Sequence, residues 1–232
     1  MKTWRKCYFE RRQLKSDKWD HYFEIYDRYF ERRRCKAAPV YLEIGCQNGG
    51  SLETARCYFG DQAKIFGIDN EPSCAALNEM PFVSRVFIGD QSDPTFLNSV
   101  ATETGPLDIV LDDGSHQAHD QIVSFLTLFP ALATDGVYLI EDTAAAFYPL
   151  QRKLFYGLSV FDYFKGFSER LSADSARGEF IDNRYLMPRE QRQGDERQKQ
   201  GMLREIWSIT FFDSVIAIEK AAPAPEPLRH QR

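Results

Sequence analysis

Five short apolar runs in this chain end on or beside an acid, and helix-like intervals separate them; no other feature restricts the possible fold as much. Val40 to Ile44 passes through Glu43 into Gly45, and Lys64 to Asp69 stops on its own aspartate. Val86 to Gly89 leads to Asp90, Leu107 to Asp112 ends beside Asp113, and Gly136 to Ile140 gives way to Glu141-Asp142. Between them, Ser51 to Phe59, Cys74 to Glu79, Pro94 to Thr102 and Gln117 to Leu132 read as helices. Alternating strands and helices predict an α/β fold, a doubly wound Rossmann-like sheet that is mostly parallel and covered by helices on both faces.

The flanks extend this expectation. From Lys18 to Arg33 the aromatics Trp19, Tyr22, Phe23, Tyr26, Tyr29 and Phe30 recur every three or four residues, which predicts an amphipathic N-terminal helix ahead of the first strand. Beyond Ala144 an aromatic, helix-like region runs from Phe147 to Leu171, and a polar stretch from Pro188 to Gly201 is expected to be a mobile loop. Ile206 to Phe212 and Ser214 to Glu219 predict a closing antiparallel strand pair, with a disordered Ala-Pro-Glu-Pro tail after Lys220. The expected organisation is a helical segment over 1–39, a ligand-binding domain over 40–220 with an insertion at about 147–203, and a tail over 221–232. The insertion lies where an active-site lid or a homo-oligomer contact would sit.

Composition narrows the function classes. At 232 residues and 43% hydrophobic, the chain buries one substantial core. A net charge of −5 provides no field for a nucleic-acid backbone, and Arg32-Arg33-Arg34 reads as a solvated helix end. The five cysteines lack CxxC pairing and read as reduced thiols. With no signal-like N-terminus and no apolar stretch of membrane-spanning length, the expectation is a cytoplasmic protein with neither membrane nor nucleic acid as partner.

In a doubly wound sheet, ligands bind beyond the carboxyl ends of the strands. The first strand enters Glu43-Ile-Gly45-Cys-Gln-Asn-Gly49-Gly50-Ser51, where glycines permit positive φ and close ligand approach. Gln47 occupies the second glycine position of a dinucleotide fingerprint, which argues against a pyrophosphate turn. Asp69 is placed to accept hydrogen bonds from ribose hydroxyls, and Asp90 or Gln91 from an adenine amino group. Glu43, Asp69, Asp90 and Asp112, closing successive strands, resemble the class I S-adenosylmethionine methyltransferases, which implies an adenosyl cofactor held by these acids together with Gly45, Gly49, Ser51 and Gln91.

The fourth and fifth strands carry the chemistry. Asp112-Asp113-Gly114-Ser115-His116 and Glu141-Asp142 would converge at one crevice, and such a cluster demands protons or a cation for neutralisation. Oxygen ligands without a nearby thiol favour Mg²⁺ over zinc, with Mn²⁺ or Ca²⁺ as alternatives. These two motifs, with Lys18-Trp-Asp-His-Tyr-Phe and Phe211-Phe-Asp-Ser-Val215, resemble the metal-dependent sugar O-methyltransferases of macrolide biosynthesis and the cephalosporin hydroxylase-like proteins. The resemblance implies a metal held by Asp113, Glu141 and Asp142, with His116 as general base. It also implies a small-molecule or glycoside acceptor carrying a sugar hydroxyl. His119 is expected on the helix surface, and His21 in the core or lining a pocket. After Asp142 the chain reads Thr-Ala-Ala-Ala-Phe-Tyr148-Pro149, where relatives carry a tryptophan and a glycine-rich turn. Two other classes remain open at this point: a cofactor-binding partner protein without turnover of its own, and a nicotinamide oxidoreductase.

Overall fold

The structure is a computed structural model, and it describes residues 2–10, 14–148, 153–171, 202 and 205–221. Seven strands form one sheet: β1 (Val40–Ile44), β2 (Lys64–Asp69), β3 (Arg85–Ile88), β4 (Leu107–Asp112), β5 (Leu132–Ile140), β6 (Ile206–Phe212) and β7 (Val215–Lys220). Their order is β3-β2-β1-β4-β5-β7-β6. The first five run parallel, and β7 lies antiparallel to both β5 and β6. This is the expected doubly wound sheet with its closing antiparallel pair.

Chain order reverses between β1 and β4, which opens a crevice at their carboxyl ends. Register aligns the strand ends there, with Ile44 opposite both Ile68 and Asp112, and Asp112 opposite Ile140. Side chains alternate across the sheet with period two, so the strands feed two cores. On one face Tyr41, Ile65, Ile109, Leu111, Val137 and Leu139 meet α1 (Trp4–Glu10), α2 (Tyr22–Arg34) and α3 (Gly50–Phe59). On the other, Leu42, Ile44, Phe66, Val110, Tyr138 and Ile140 meet α4 (Pro94–Thr104), α5 (Ala118–Leu128) and α6 (Val160–Lys165).

The N-terminal helix departs from its expected bounds. It begins at Tyr22 rather than Lys18, so Trp19 stands outside it and 64% exposed, while Tyr22, Phe23, Tyr26, Tyr29 and Phe30 are buried. Lys18 is thereby free to leave the helix direction and enter the sheet crevice. The short helix α1 had no periodic signal, yet its Trp4 fills the centre of this face, 5.2–5.3 Å from the rings of Phe30, Tyr26 and Tyr58. Arg33 corrects the reading of a solvated basic run: it is 2% exposed, with Nη1 donating to the Tyr29 carbonyl at 2.6 Å and Nη2 3.7 Å from Glu219. Arg32 remains exposed.

Smaller corrections follow from local chemistry. Pro72–Glu79 is a 3-10 helix, not an α-helix, opened by proline at its first position. The helix expected to reach Leu132 ends at Leu128, because Pro130 cannot continue the ladder, and β5 starts at Leu132 instead of Gly136. Ser159 and Asp162 form a capping box that starts α6, whose Phe164 packs 4.9 Å from Phe125. The Pro188–Gly201 stretch and the tail from residue 222 lie outside the described residues. All five cysteines are free thiols, and among the described residues no helix is long and apolar enough to cross a membrane.

Truncating a buried ring removes transfer free energy and leaves a cavity. Trp4→Ala is therefore expected to cost about 3–5 kcal/mol, read as a lower urea midpoint by circular dichroism. A midpoint unchanged from wild type would show that α1 does not hold this face together.

Candidate functional site

The crevice is built on a backbone contact. Gly45 leaves β1 at φ +84°, and a Cβ there would lie 2.1 Å from the Asp113 carbonyl oxygen, so only glycine lets the ends of β1 and β4 come this close. Gly49 takes φ +79° as N-cap of α3, aiming that helix at the crevice. The Asp69 carboxylate braces the same turn, accepting from the Gln47 amide at 2.8 Å and the Glu71 amide at 2.9 Å.

Three cavities line up along the strand ends. The first, about 270 Å³, is bordered by Gly45, Gln47, Asp69, Asp90, Gln91 and Asp113, among others. The second, about 380 Å³, is bordered by Tyr8, Asp17, Lys18, Trp19 and Tyr22 with Asp113, Glu141 and Asp142. The third, also about 380 Å³, brings His116 and Asp142 together with Trp19, His21, Tyr148 and Ser214. Asp113 is shared by the first two, and Asp142 by the last two.

The residues expected around an adenosyl ligand therefore divide. Gly45, Asp69, Asp90 and Gln91 border the first cavity, whereas Glu43, Gly49, Ser51 and Asp112 stand behind it. Asp90 uses one oxygen in a local turn, accepting from the Ser92 amide at 2.7 Å and hydroxyl at 2.8 Å. The Gln91 amide is already committed: it donates to Asp112 and Ser124, each at 3.1 Å, and accepts from the Ser115 amide at 2.6 Å. Asp112 faces the interior, receives the Tyr138 hydroxyl at 3.0 Å, and is pushed up to about 7 by burial. Asn70, Ser115, Asp120 and Lys153 also border this cavity, although no strand-end pattern marked them. His119 is not simple helix surface. Its Nδ1 lies 2.9 Å from Asp120, which also takes Lys153 at 2.6 Å.

The acid cluster is organised from the N-terminal segment. Lys18 is 4% exposed at its side chain, and its Nζ stands 2.6 Å from Asp113, 2.8 Å from Glu141 and 3.6 Å from Glu43. Burial alone would lower this lysine, but Asp113, Glu141 and Glu43 hold it well above its ordinary range. Burial pulls Glu141 in the opposite direction, up to about 8, against the pull of Lys18. With Lys18 and the Tyr26 hydroxyl both donating to Glu141, the contacts favour the ionised pair. The Tyr22 hydroxyl donates to Asp142 at 2.6 Å.

Glu141 is consequently turned toward Lys18 and Tyr26, and the open grouping is Asp113, His116 and Asp142, whose ligand atoms all lie within 4.8 Å of one another. His116 Nε2 is 3.7 Å from Asp142, and its buried Nδ1 finds no hydrogen-bond partner among the described residues. The carboxylates of Asp113 and Asp142 suit a hard divalent ion with further oxygen ligands from water or acceptor, and the His116 imidazole stands beside them. The backbone is bent at the same place: Gln47, His116, Asp142 and Ser214 take φ of +40°, +57°, +49° and +60°. Such conformations cost free energy and gather at functional sites.

No protein-family model matches the chain. It is similar to a Streptomyces olivaceus 8-demethyl-8-(2-methoxy-alpha-L-rhamnosyl)-tetracenomycin-C 3'-O-methyltransferase, with 43% identity over 144 residues, covering 58% of this chain and 36% of that protein. A Streptomyces antibioticus L-olivosyl-oleandolide 3-O-methyltransferase is 38% identical, over 59% of this chain and 37% of its own length. The chain thus spans little more than a third of the curated relatives it matches. Among solved structures, the mycinamycin-pathway methyltransferase MycE superposes with a TM-score of 0.68 at 26% identity, covering 89% of this chain and 50% of that one, in a complex with Mg and SAH. A second MycE structure, with Mg, SAH and Mycinamycin VI, gives 0.65 over 86% of this chain and 48% of that one.

The Gly45 contact predicts that Gly45→Ala unfolds at markedly lower temperature than wild type, since both φ and the 2.1 Å approach oppose a methyl group. A thermal midpoint within a degree or two of wild type would show that the two strand ends move apart freely.

Proposed function

We propose that this chain, which has the class I methyltransferase fold and is homologous to natural-product sugar O-methyltransferases, transfers a methyl group from S-adenosylmethionine to a sugar hydroxyl of a glycosylated small molecule with the help of Mg²⁺. The observation that carries this reading is the shared border of the three cavities: Asp113 joins the first to the second, and Asp142 the second to the third. A donor in the first cavity and an acceptor reaching His116 would meet over these two acids.

The adenosyl end rests on Asp69, whose carboxylate is fixed by two backbone amides and keeps lone pairs for ribose hydroxyls, with Asp90 further along the cavity. Gln91 borders the cavity with its amide held by Asp112, Ser124 and Ser115, and Glu43, Gly49, Ser51 and Asp112 act from behind by shaping the wall. Gln47, where a dinucleotide fingerprint has glycine, argues against the nicotinamide alternative.

At the acceptor end, Asp113 and Asp142 offer the carboxylates that would hold a divalent ion, and Glu141 stands beside them as the third acid of the set. When bound, such an ion lowers the pKa of an aliphatic hydroxyl that is otherwise far above neutrality. His116 lies in the same cavity as Asp142 and would take the hydroxyl proton at Nε2, the nitrogen that faces the acids. Tyr22 holds Asp142 in place from the rear. Trp19 and Tyr148, both more than 60% exposed and bordering this cavity, offer ring faces to the apolar side of a sugar.

Chelation is expected to abolish methyl transfer to a glycoside panel and Mg²⁺ to restore it, with Asp142→Ala as inactive as the chelated enzyme; full turnover in excess EDTA would reject the metal. His116→Ala is expected to lower kcat by roughly 10²–10⁴-fold while calorimetric affinity for S-adenosylhomocysteine stays near wild type. Unchanged turnover would remove His116 from the chemistry.

A further inference from the structure

Lys18 has no part in the reaction just proposed, yet it is the most completely enclosed cation at the site. Its ammonium bridges Asp113 Oδ2 at 2.6 Å and Glu141 Oε2 at 2.8 Å. Those two carboxylates belong to the acid set proposed for the metal. A third acid, Glu43, faces the same ammonium at 3.6 Å with an oxygen that finds no hydrogen-bond partner among the described residues. Lysine is a compact point charge with tetrahedral donors, so it can fill a seat among carboxylate oxygens much as an ion does. Its neighbours Asp17 and Trp19 belong to no helix or strand and form the wall of the cavity that Asp113, Glu141 and Asp142 floor.

We infer that Lys18 is a built-in cation that competes with the divalent ion: its ammonium occupies the seat between Asp113 and Glu141, so that metal binding expels it and releases the Asp17–Trp19 wall of the acceptor cavity. The inference rests on the proposed metal-dependent reading and adds an order of events to it. Asp113 belongs both to this seat and to the open grouping with His116 and Asp142, and an ammonium and a divalent ion in contact with one carboxylate repel each other. Metal loading therefore precedes acceptor entry, and until then Lys18 offsets part of the charge of Asp113, Glu141 and Glu43.

The test uses the full chain and Mn²⁺ binding followed by electron paramagnetic resonance, independent of turnover. Lys18→Met and Lys18→Gln, each shown to be folded by circular dichroism, are expected to bind Mn²⁺ on the order of tenfold more tightly than wild type, since no ammonium then has to leave Asp113 and Glu141. A merely structural lysine predicts the opposite sign, because Asp113 and Glu141 would lose their anchor. In wild type, Mg²⁺ is expected to shift the emission of the exposed Trp19, with a midpoint matching Mn²⁺ displacement, and the shift should vanish in Lys18→Met and in Trp19→Phe. Equal or weaker Mn²⁺ affinity in the folded variants overturns the inference. So does Mg²⁺ binding to the native chain without change at Trp19, which decides the matter even if neither Lys18 variant folds. Overturning it this way leaves a chelation-sensitive methyltransferase intact, whereas a wild-type chain that binds no Mn²⁺ loses both readings.

Discussion

One ammonium group among three acids ties this molecule together. Glu43 lies one residue before the end of the first strand, Asp113 follows the fourth and Glu141 follows the fifth, and Lys18 reaches all three from a segment that lies outside the sheet. Without a counter-charge, three carboxylates on adjacent parallel strands would repel at the point where the sheet must be tightest. With it, the switch-point crevice closes on one side and the N-terminal segment is pinned across the strand ends. Tyr22 and Tyr26, one helical turn apart on α2, add hydroxyl donors to Asp142 and Glu141 from the same direction. Fold and site are thus stabilised by the same contacts.

Much of the architecture was legible in the sequence because it depends on periodicity. The five acid-terminated runs became five parallel strands, and the two β-type runs near the C-terminus became the antiparallel pair. The acids at strand ends could be named from their positions alone. What periodicity could not supply was the direction of each carboxylate. Asp112 and Asp113 are adjacent, yet one turns inward to Tyr138 and Gln91 and the other outward to the crevice. Glu141 and Asp142 divide similarly, one toward Lys18 and the other toward His116. Neighbouring residues in an extended chain point to opposite faces, which separates Asp112 from Asp113, whereas the left-handed backbone at Asp142 turns it away from Glu141.

Lys18 and Trp4 were missed for a different reason. A lysine beside an aspartate reads as a solvated pair, and a seven-residue helix carries too few turns for an amphipathic stripe to register. Both are recognisable only through partners far away in sequence. Arg33 is the same lesson inside an otherwise correct element, since of three consecutive arginines Arg32 is exposed, Arg34 is half-buried and Arg33 is buried. Of six non-glycine residues at positive φ among the described residues, Gln47, His116, Asp142 and Ser214 border these cavities, a signature that no sequence pattern announces.

The hairpin joining β6 and β7 has a bearing on how the molecule comes into being. Its turn residues Asp213 and Ser214 border the cavity that contains His116, and the Ser214 carbonyl receives the Thr143 amide directly after Asp142. Trp19 and His21 border the same cavity from the N-terminal segment, with His21 Nε2 3.2 Å from the Asp213 carbonyl. A pocket assembled from segments 192 residues apart depends on the docking of β6 and β7, because without their turn the acceptor mouth lacks Asp213 and Ser214. Completion of the sheet and competence of the site are therefore a single event.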